Sequence, residues 1–374
     1  MLQAKDIEII EFNVTSLCNS KCPMCLRTLA LYPPEDHKKN ITHEFVTSSM
    51  PPELFETIAR GLEGHAKDIT ASFCGTSGDA PNHPRIDEIL NIAVEMYKTV
   101  NMETNGSVRN TDWWRKIGTK FNSKTGHDFK VQFAIDGLAD TNPLYRINTN
   151  FDKIIENAQA FIDAGGYAKW KFLIFDHNKH QVDQARELSK SMGFKQFITT
   201  TGKRFTNSQQ NVENKLYKNK ASLVKDTVKE NGFSLAPAIE VDEKLQRIIE
   251  YRTKIFKDPN SISDDVEINC RTKDEKYLFV DQFGKLWPCC FWSSQHEKNW
   301  PGLANWDYWW DKFQTSYGHN FNQLSSSNTI LDMLDHDLLS NWLPQSFSGE
   351  HKKCDVCVHN CKKGVSSKNV LQSS

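Results

Sequence analysis

Ile7-Glu8-Ile9-Ile10-Glu11-Phe12-Asn13-Val14-Thr15-Ser16-Leu17-Cys18-Asn19-Ser20-Lys21-Cys22-Pro23-Met24-Cys25 opens on a strand and closes on three cysteines. Over residues 7–15, Ile7, Ile9, Ile10, Val14 and Thr15 supply the β-branched content that a pleated, half-buried segment favours. The next ten residues turn polar and set Cys18, Cys22 and Cys25 in a Cys-x3-Cys-x2-Cys spacing. Three thiolates so close in sequence can hold three corners of a cubane iron–sulfur cluster. The fourth iron then lacks a protein ligand and is free to bind a small molecule. A zinc site would want a fourth ligand nearby, and zinc modules commonly use two separated pairs. Three loop thiols without a metal would be open to oxidation. The end of the first strand is therefore a place of chemistry.

Outward from this stretch, helix and strand signals alternate. Leu54, Ile58 and Leu62 recur at four-residue spacing and predict a helix over 52–62. Strands follow at 68–75, 99–106, 129–137, 169–175 and 194–200. Helices fall at 85–97, around Trp113-Trp114, at 151–164 before Gly165-Gly166, and at 181–192 before Gly193. Six strands separated by helices require parallel pairing through right-handed crossovers, so the fold class is α/β, an open (β/α)6 partial TIM barrel. Functional loops then belong at the C-terminal ends of the strands. The cysteine triplet, residues 75–84, Thr104-Asn105-Gly106, Asp136-Gly137 and His177-Asn178 all fall there.

The rest of the chain reads differently. Residues 202–236 are polar and rich in Lys, Asn and Ser, a linker or excursion, and a helix is expected over 240–257. From Cys270 a hairpin is expected, with strands at 277–280 and 285–289 around Asp281-Gln282-Phe283-Gly284. A Trp-rich stretch and Cys354, Cys357 and Cys361 follow. The expected domains are a core over 1–204, a linker over 205–260, a small second domain over 261–364 and a disordered tail over 365–374. A net charge of −1 offers no broad surface for nucleic acid. No apolar run is long enough to span a membrane, and no signal-peptide pattern is present, so a cytoplasmic protein is expected. Nine of the ten cysteines cluster, which favours metal over disulfides. Cys74, the tenth, reads as a small buried apolar residue. The twelve histidines show no metal-type pairing.

A Cys-x3-Cys-x2-Cys loop after strand one of a (β/α)6 chain resembles the radical S-adenosylmethionine superfamily, over residues 7–200. The resemblance implies that Cys18, Cys22 and Cys25 hold a 4Fe-4S cluster whose open iron is chelated by S-adenosylmethionine. Reductive cleavage of that cosubstrate gives a 5′-deoxyadenosyl radical that abstracts hydrogen from an unactivated carbon, chemistry a cofactor must carry. Gly75-Thr76-Ser77-Gly78-Asp79-Ala80-Pro81 is similar to the family's Gly-Gly-Glu-Pro segment, with Asp79 as the acceptor for the cosubstrate's amino group and Gly78 beside it. Thr104, Asn105 and Asp136 are placed to face ribose or substrate. Arg146 resembles an arginine that pairs with the cosubstrate carboxylate, and Asn178 is similarly placed. Each of these residues also has an ordinary reading in turn or surface chemistry. The family carries an aromatic residue before the third cysteine. Here Met24 takes that place, a flexible and polarizable side chain able to pack on adenine.

The spacing Cys270-x13-Gly284-x4-Cys289, followed by Cys354-x2-Cys357-x3-Cys361, is similar to the SPASM and twitch auxiliary domains of the superfamily. Its shortened later block fits a twitch-like domain with one auxiliary 4Fe-4S cluster. That pattern implies Cys270, Cys289, Cys354 and Cys357 as ligands, with Cys361 the competing thiolate and Cys290 a packed thiol. A tetrathiolate zinc site uses the same residues.

The resulting expectation is a radical S-adenosylmethionine oxidoreductase or modifying enzyme. It would carry out a net oxidation, or modify a peptide or protein, assisted by the auxiliary cluster and supplied with electrons by a reductase such as flavodoxin or ferredoxin. A dehydrogenase or cyclase acting on a small molecule is the alternative within the superfamily. A non-catalytic iron–sulfur electron carrier or a zinc-binding module is the alternative outside it.

Overall fold

In the computed structural model, residues 2–23, 25–31, 45–122, 128–201, 266–296, 306–350 and 353–361 are described. Their strands are β1 (Ile9–Phe12), β2 (Thr70–Phe73), β3 (Thr99–Thr104), β4 (Phe129–Ala134), β5 (Tyr167–Ile174), β6 (Gln196–Thr201), β7 (Tyr277–Val280) and β8 (Leu286–Trp287). They form one open sheet in the order β6-β5-β4-β3-β2-β1-β7-β8. β3/β4, β4/β5, β5/β6 and β1/β7 pair parallel, and β7/β8 is antiparallel. This is the expected α/β architecture, a sheet that does not close. By internal contacts the chain divides into two compact units, one of residues 13–49 and 71–240, the other of 1–12, 50–70 and 241–374.

In the first unit, helices α1 (Leu26–Leu31), α3 (Ile86–Met96), α4 (Thr111–Lys120), α5 (Phe151–Asp163) and α6 (Val182–Met192) alternate with the strands; α2 (Pro52–Arg60) belongs to the second unit. Side chains alternate along β3–β5 as a strand requires. Val100, Met102, Val131, Phe133, Trp170 and Phe172 are buried, while Asn101, Glu103, Lys130, Gln132, Lys169 and Lys171 are half-buried. Trp114 of α4 lies 5.1 Å from the Phe133 ring and 6.0 Å from that of Phe161 on α5, centroid to centroid. Asn110 and Asn150 cap α4 and α5, accepting from the amides of Trp113 (3.0 Å) and Lys153 (2.9 Å). α6 stops at Gly193, whose φ of +90° suits glycine.

In the second unit, β7 lies parallel beside β1, with Ile9 opposite Tyr277 and Phe12 opposite Val280. The Tyr277 hydroxyl donates to Glu11 at 2.6 Å, and Lys276 pairs with Glu8 at 2.8 Å. β8 is shorter than the expected 285–289 because Pro288 has no amide to give the ladder. The turn is organised by buried Asp281, which accepts from Trp287 Nε1 (2.8 Å) and the amides of Phe283 and Lys285 (both 2.9 Å). Helices α7 (Cys290–His296), α8 (Trp306–Tyr317), α9 (Ile330–Asp335) and α10 (Asp355–Cys361) follow. The tryptophans pack as core: Trp342 sits 5.0 Å from Trp309 and 4.8 Å from Phe313, and Trp292 lies 5.6 Å from Phe313. Among the described residues, no helix is long and apolar enough to cross a membrane. The expected linker, the helix over 240–257 and the tail over 365–374 lie outside the described residues.

Candidate functional site

The cysteine loop leaves the end of β1 and is braced by residues on both sides. Thr15 Oγ1 lies 2.7 Å from Ser49 Oγ. The Ser16 amide donates to Ser48 O at 2.9 Å, and the Ser48 amide returns a bond to Ser16 Oγ at 2.8 Å. Arg27 Nε donates to Ser16 O at 2.6 Å, and the Lys21 amide to Ile147 O at 2.9 Å. Cys22 is buried, and Cys18 and Cys25 are half-buried. Burial pushes the Cys18 thiol up, and Asp79, Cys22 and Cys25 add to it, so the three sulfurs feel one another's charge. As they stand, no three His, Cys, Asp or Glu side chains among the described residues converge to hold a metal ion.

The donor set nevertheless suits a metal–sulfur group. Cys18 Sγ accepts from the Ser20 amide (3.4 Å) and from Asn105 Nδ2 (3.7 Å). Cys22 Sγ accepts from Arg146 Nη1 (3.7 Å) and lies 3.0 Å from Ser20 Oγ. Donors aimed at sulfur favour its charged form.

The loop after β2 packs directly on this segment. A Cβ on Gly78 would overlap the carbonyl oxygen of Thr15 and stand 2.7 Å from its carbonyl carbon, so glycine is required by the close approach of two backbones. The Asp79 amide donates to Leu17 O at 2.9 Å, and Asn13 Nδ2 to Ser77 Oγ at 2.5 Å. Asp79 is buried and accepts from the Asn105 amide (3.0 Å), Asn82 Nδ2 (2.8 Å) and the Thr104 hydroxyl. Burial outweighs those bonds and raises its carboxyl to about 6. Asn105 in turn donates to Asn19 Oδ1 at 3.0 Å as well as to Cys18. A continuous polar chain thus runs from Asp79 through Asn105 to the first cysteine. Sequence reasoning missed Arg109, which ties the same loop down through Pro81 O (2.8 Å) and His83 O (2.7 Å). An arginine three residues past a strand-end turn carries no local signal for that role.

At the ends of β4 and β5, Asp136 is fully buried. Its Oδ2 accepts from Arg146 Nε at 2.6 Å and its Oδ1 from the Leu173 amide at 2.7 Å. Asn178 is also fully buried and works as a stitch, donating to Asp136 O and Leu173 O (both 2.9 Å) and accepting from the Phe175 amide (2.7 Å). The structure therefore brings Cys18, Cys22, Gly78, Asp79, Thr104, Asn105, Asp136 and Arg146 into one bonded neighbourhood, with Asn178 supporting its floor. Met24 lies outside the described residues.

The later cysteines form a separate group in the second unit. Cys270, Cys289, Cys354, Cys357 and Cys361 are all buried, and Cys290 is half-buried. One apolar cavity is lined by Cys270, Cys289, Cys357 and Cys361, together with Ile268 and Trp292. Cys357 and Cys361 stand one turn apart on α10, which places them on one face. Burial pushes Cys289 up, and Cys290, Cys361, Cys357 and Cys270 reinforce it. Burial likewise raises Cys270 to about 11, with Cys357 contributing. Trp292 Nε1 donates to Cys357 Sγ at 3.4 Å. Cys354 does not line the cavity. Its carbonyl starts α10, accepting from the amides of Cys357 (2.9 Å) and Val358 (3.1 Å).

No protein-family model matches the chain, and no curated protein is similar to it in sequence. Solved structures do share its fold. Native anSMEcpe with bound AdoMet and Cp18Cys peptide is 14% identical, with a TM-score of 0.51 over 98% of this chain and 92% of that one. Native anSMEcpe with bound AdoMet gives 14% and 0.50 over the same shares. Streptococcus suis SuiB bound to S-adenosylmethionine is 14% identical, with a TM-score of 0.46 over 76% of this chain. The match covers 61% of the SuiB chain. At these identities the likeness to anSMEcpe is one of fold.

Proposed function

We propose that the chain is a radical S-adenosylmethionine enzyme. The observation that carries this reading is the polar chain Asp79–Asn105–Cys18, which joins a buried carboxylate at the end of β2 to the cysteine loop after β1. Cys18, Cys22 and Cys25 would hold a 4Fe-4S cluster, and the Gly78-Asp79 loop would receive the ammonium of S-adenosylmethionine. Bound there, the pair would supply the hydrogen-abstracting radical chemistry that protein side chains cannot.

The chain's own residues bind and orient. Asp79, buried and raised to about 6, gains most from a cationic partner, because an ammonium offsets the cost of keeping its charge out of water. Asn105 fixes the carboxylate's distance from Cys18, while Gly78 and Arg109 hold the loop in register. In the second unit, Cys270, Cys289, Cys357 and Cys361 line one apolar pocket and would hold an auxiliary 4Fe-4S cluster, which would take up the electron left after hydrogen abstraction. A peptide or protein is the favoured substrate class, in keeping with the Cp18Cys peptide bound to anSMEcpe. The reducing electron would come from a flavodoxin or ferredoxin.

Anaerobic reconstitution tests the reading. About eight irons per chain are expected for two such clusters, and the dithionite-reduced protein should convert S-adenosylmethionine to 5′-deoxyadenosine. Cys22→Ala should abolish that product; retained activity would remove the triplet from the mechanism. Tightly held zinc with about four irons would assign the C-terminal thiolates to zinc instead.

A further inference from the structure

Cys18 and Cys22 are met by different kinds of donor. Cys18 accepts from neutral amides, those of Ser20 and Asn105. Cys22 lies 3.0 Å from the Ser20 hydroxyl and in addition accepts from a guanidinium, Arg146 Nη1 at 3.7 Å. Nothing about this arginine is loose. Its amide donates to Asn142 O at 2.8 Å, and its carbonyl accepts from Thr149 Oγ1 at 2.6 Å. Nε is held by Asp136 Oδ2 at 2.6 Å. Asp136 is itself fixed through the Leu173 amide and through its own amide, which donates to Asn142 Oδ1 at 2.8 Å. Arg146 also stacks over the Tyr145 ring at 5.4 Å. Cys22 clusters with buried Tyr145 and Phe175, and Cys25 and Leu173 pack against that cluster. Cys22 and the Asp136 carboxylate are buried and the Arg146 side chain is mostly so, which weakens the screening of these charges at the sulfur.

We infer that Arg146 sets the reduction potential of the metal group held by the triplet, with Asp136 as its counterweight. The inference rests on reading the triplet as a cluster site. A reduced cluster carries one more negative charge than an oxidised one. A fixed cation at Cys22 stabilises that reduced state and raises the potential, and the Asp136 carboxylate behind it lowers the potential in turn. Arg146 therefore acts through Cys22, as a positioning residue rather than as a group that reacts.

The test is a redox titration, with dithionite as reductant, of the anaerobically reconstituted full chain, followed by electron paramagnetic resonance. The signal absent from a protein carrying Cys18→Ala, Cys22→Ala and Cys25→Ala belongs to the triplet. Arg146→Gln should make reduction at least tenfold less favourable, about 59 mV for a one-electron couple, and Arg146→Lys should recover most of the shift. Asp136→Asn should move the midpoint the opposite way. Loss of packing alone would push both variants in one direction, so shifts of the same sign, or none, overturn the inference. If Arg146→Gln takes up no iron, the sign for Asp136→Asn decides: upward supports the inference, and downward or unchanged overturns it. A wild-type chain that takes up no iron at the triplet overturns the cluster reading and the inference together.

Discussion

Replacing Gly78 with alanine drives a methyl group into the main chain of Thr15. The new carbon would overlap the carbonyl oxygen and lie 2.7 Å from the carbonyl carbon and 3.0 Å from Ser16 Cα. Carbon atoms rest at about 3.5–4.0 Å, so the two segments must part by roughly 1 Å. The obstacle is backbone rather than the end of a flexible side chain, and overpacking of this kind costs about 1–3 kcal/mol. Parting also breaks the bond from the Asp79 amide to Leu17 O and strains that from Asn13 to Ser77, at roughly 1 kcal/mol each. The entropy that alanine removes from the unfolded chain returns only about 0.4–1 kcal/mol. A net loss of about 2–4 kcal/mol is expected from these contributions. Anaerobic urea unfolding should show it as a lower midpoint at unchanged slope, and equilibrium dialysis should show S-adenosylmethionine affinity down at least tenfold. A Gly78→Ala protein within about 0.5 kcal/mol of wild type, with unaltered affinity, would refute the close approach of the two loops and the role given to it.

Two further outcomes follow from the same geometry. Because burial raises the Asp79 carboxyl to about 6 from an ordinary 3.8, the folded chain holds that proton more tightly than the unfolded one. Its contribution to stability is full below pH 3.8 and is lost as pH rises through 6, about 3 kcal/mol in all. Asp79→Asn should flatten that fall in urea unfolding between pH 4 and 7, and the wild type's affinity for S-adenosylmethionine should rise across pH 6; an unchanged slope in the variant would dismiss Asp79 as its source. In the second unit, Cys361→Ser should lower bound metal and sulfide per chain while Cys354→Ser leaves both unchanged. The reverse result would return Cys354 to the ligand set.

Local chemistry is what the sequence displays. β-branched runs and glycine stops mark the six barrel strands, and their ends move by only a few residues: the first shrinks from 7–15 to Ile9–Phe12 because Asn13, Thr15 and Ser16 bond into the loops instead of a ladder. The triplet and Asp79 are visible because spacing and strand order carry them. Partners distant in sequence are not. Nothing near Arg146 announces that Asp136 and Cys22 share its guanidinium, and nothing near Arg109 announces Pro81 and His83. The proposal of Cys361 in place of Cys354 draws on the helix, which the sequence did not display. In α10, spacing by four puts Cys357 and Cys361 on one face, while Cys354 stands at the helix start with its carbonyl engaged. The pairing of β7 with β1 was equally hidden, since a hairpin signal says nothing about what lies at its other edge.

That pairing sets the order in which the chain can fold. Ile9 meets Tyr277 on β7, and the Glu8–Lys276 ion pair beside them spans 268 residues. Loop-closure entropy must be met before such contacts repay it, so this register is a late and slow event. During synthesis β1 leaves the ribosome long before its neighbour exists, with a row of unpaired amides and carbonyls along one side. A chain cut short of Tyr277 would keep that edge permanently, and aggregation through it is the failure expected of any attempt to produce the N-terminal portion alone.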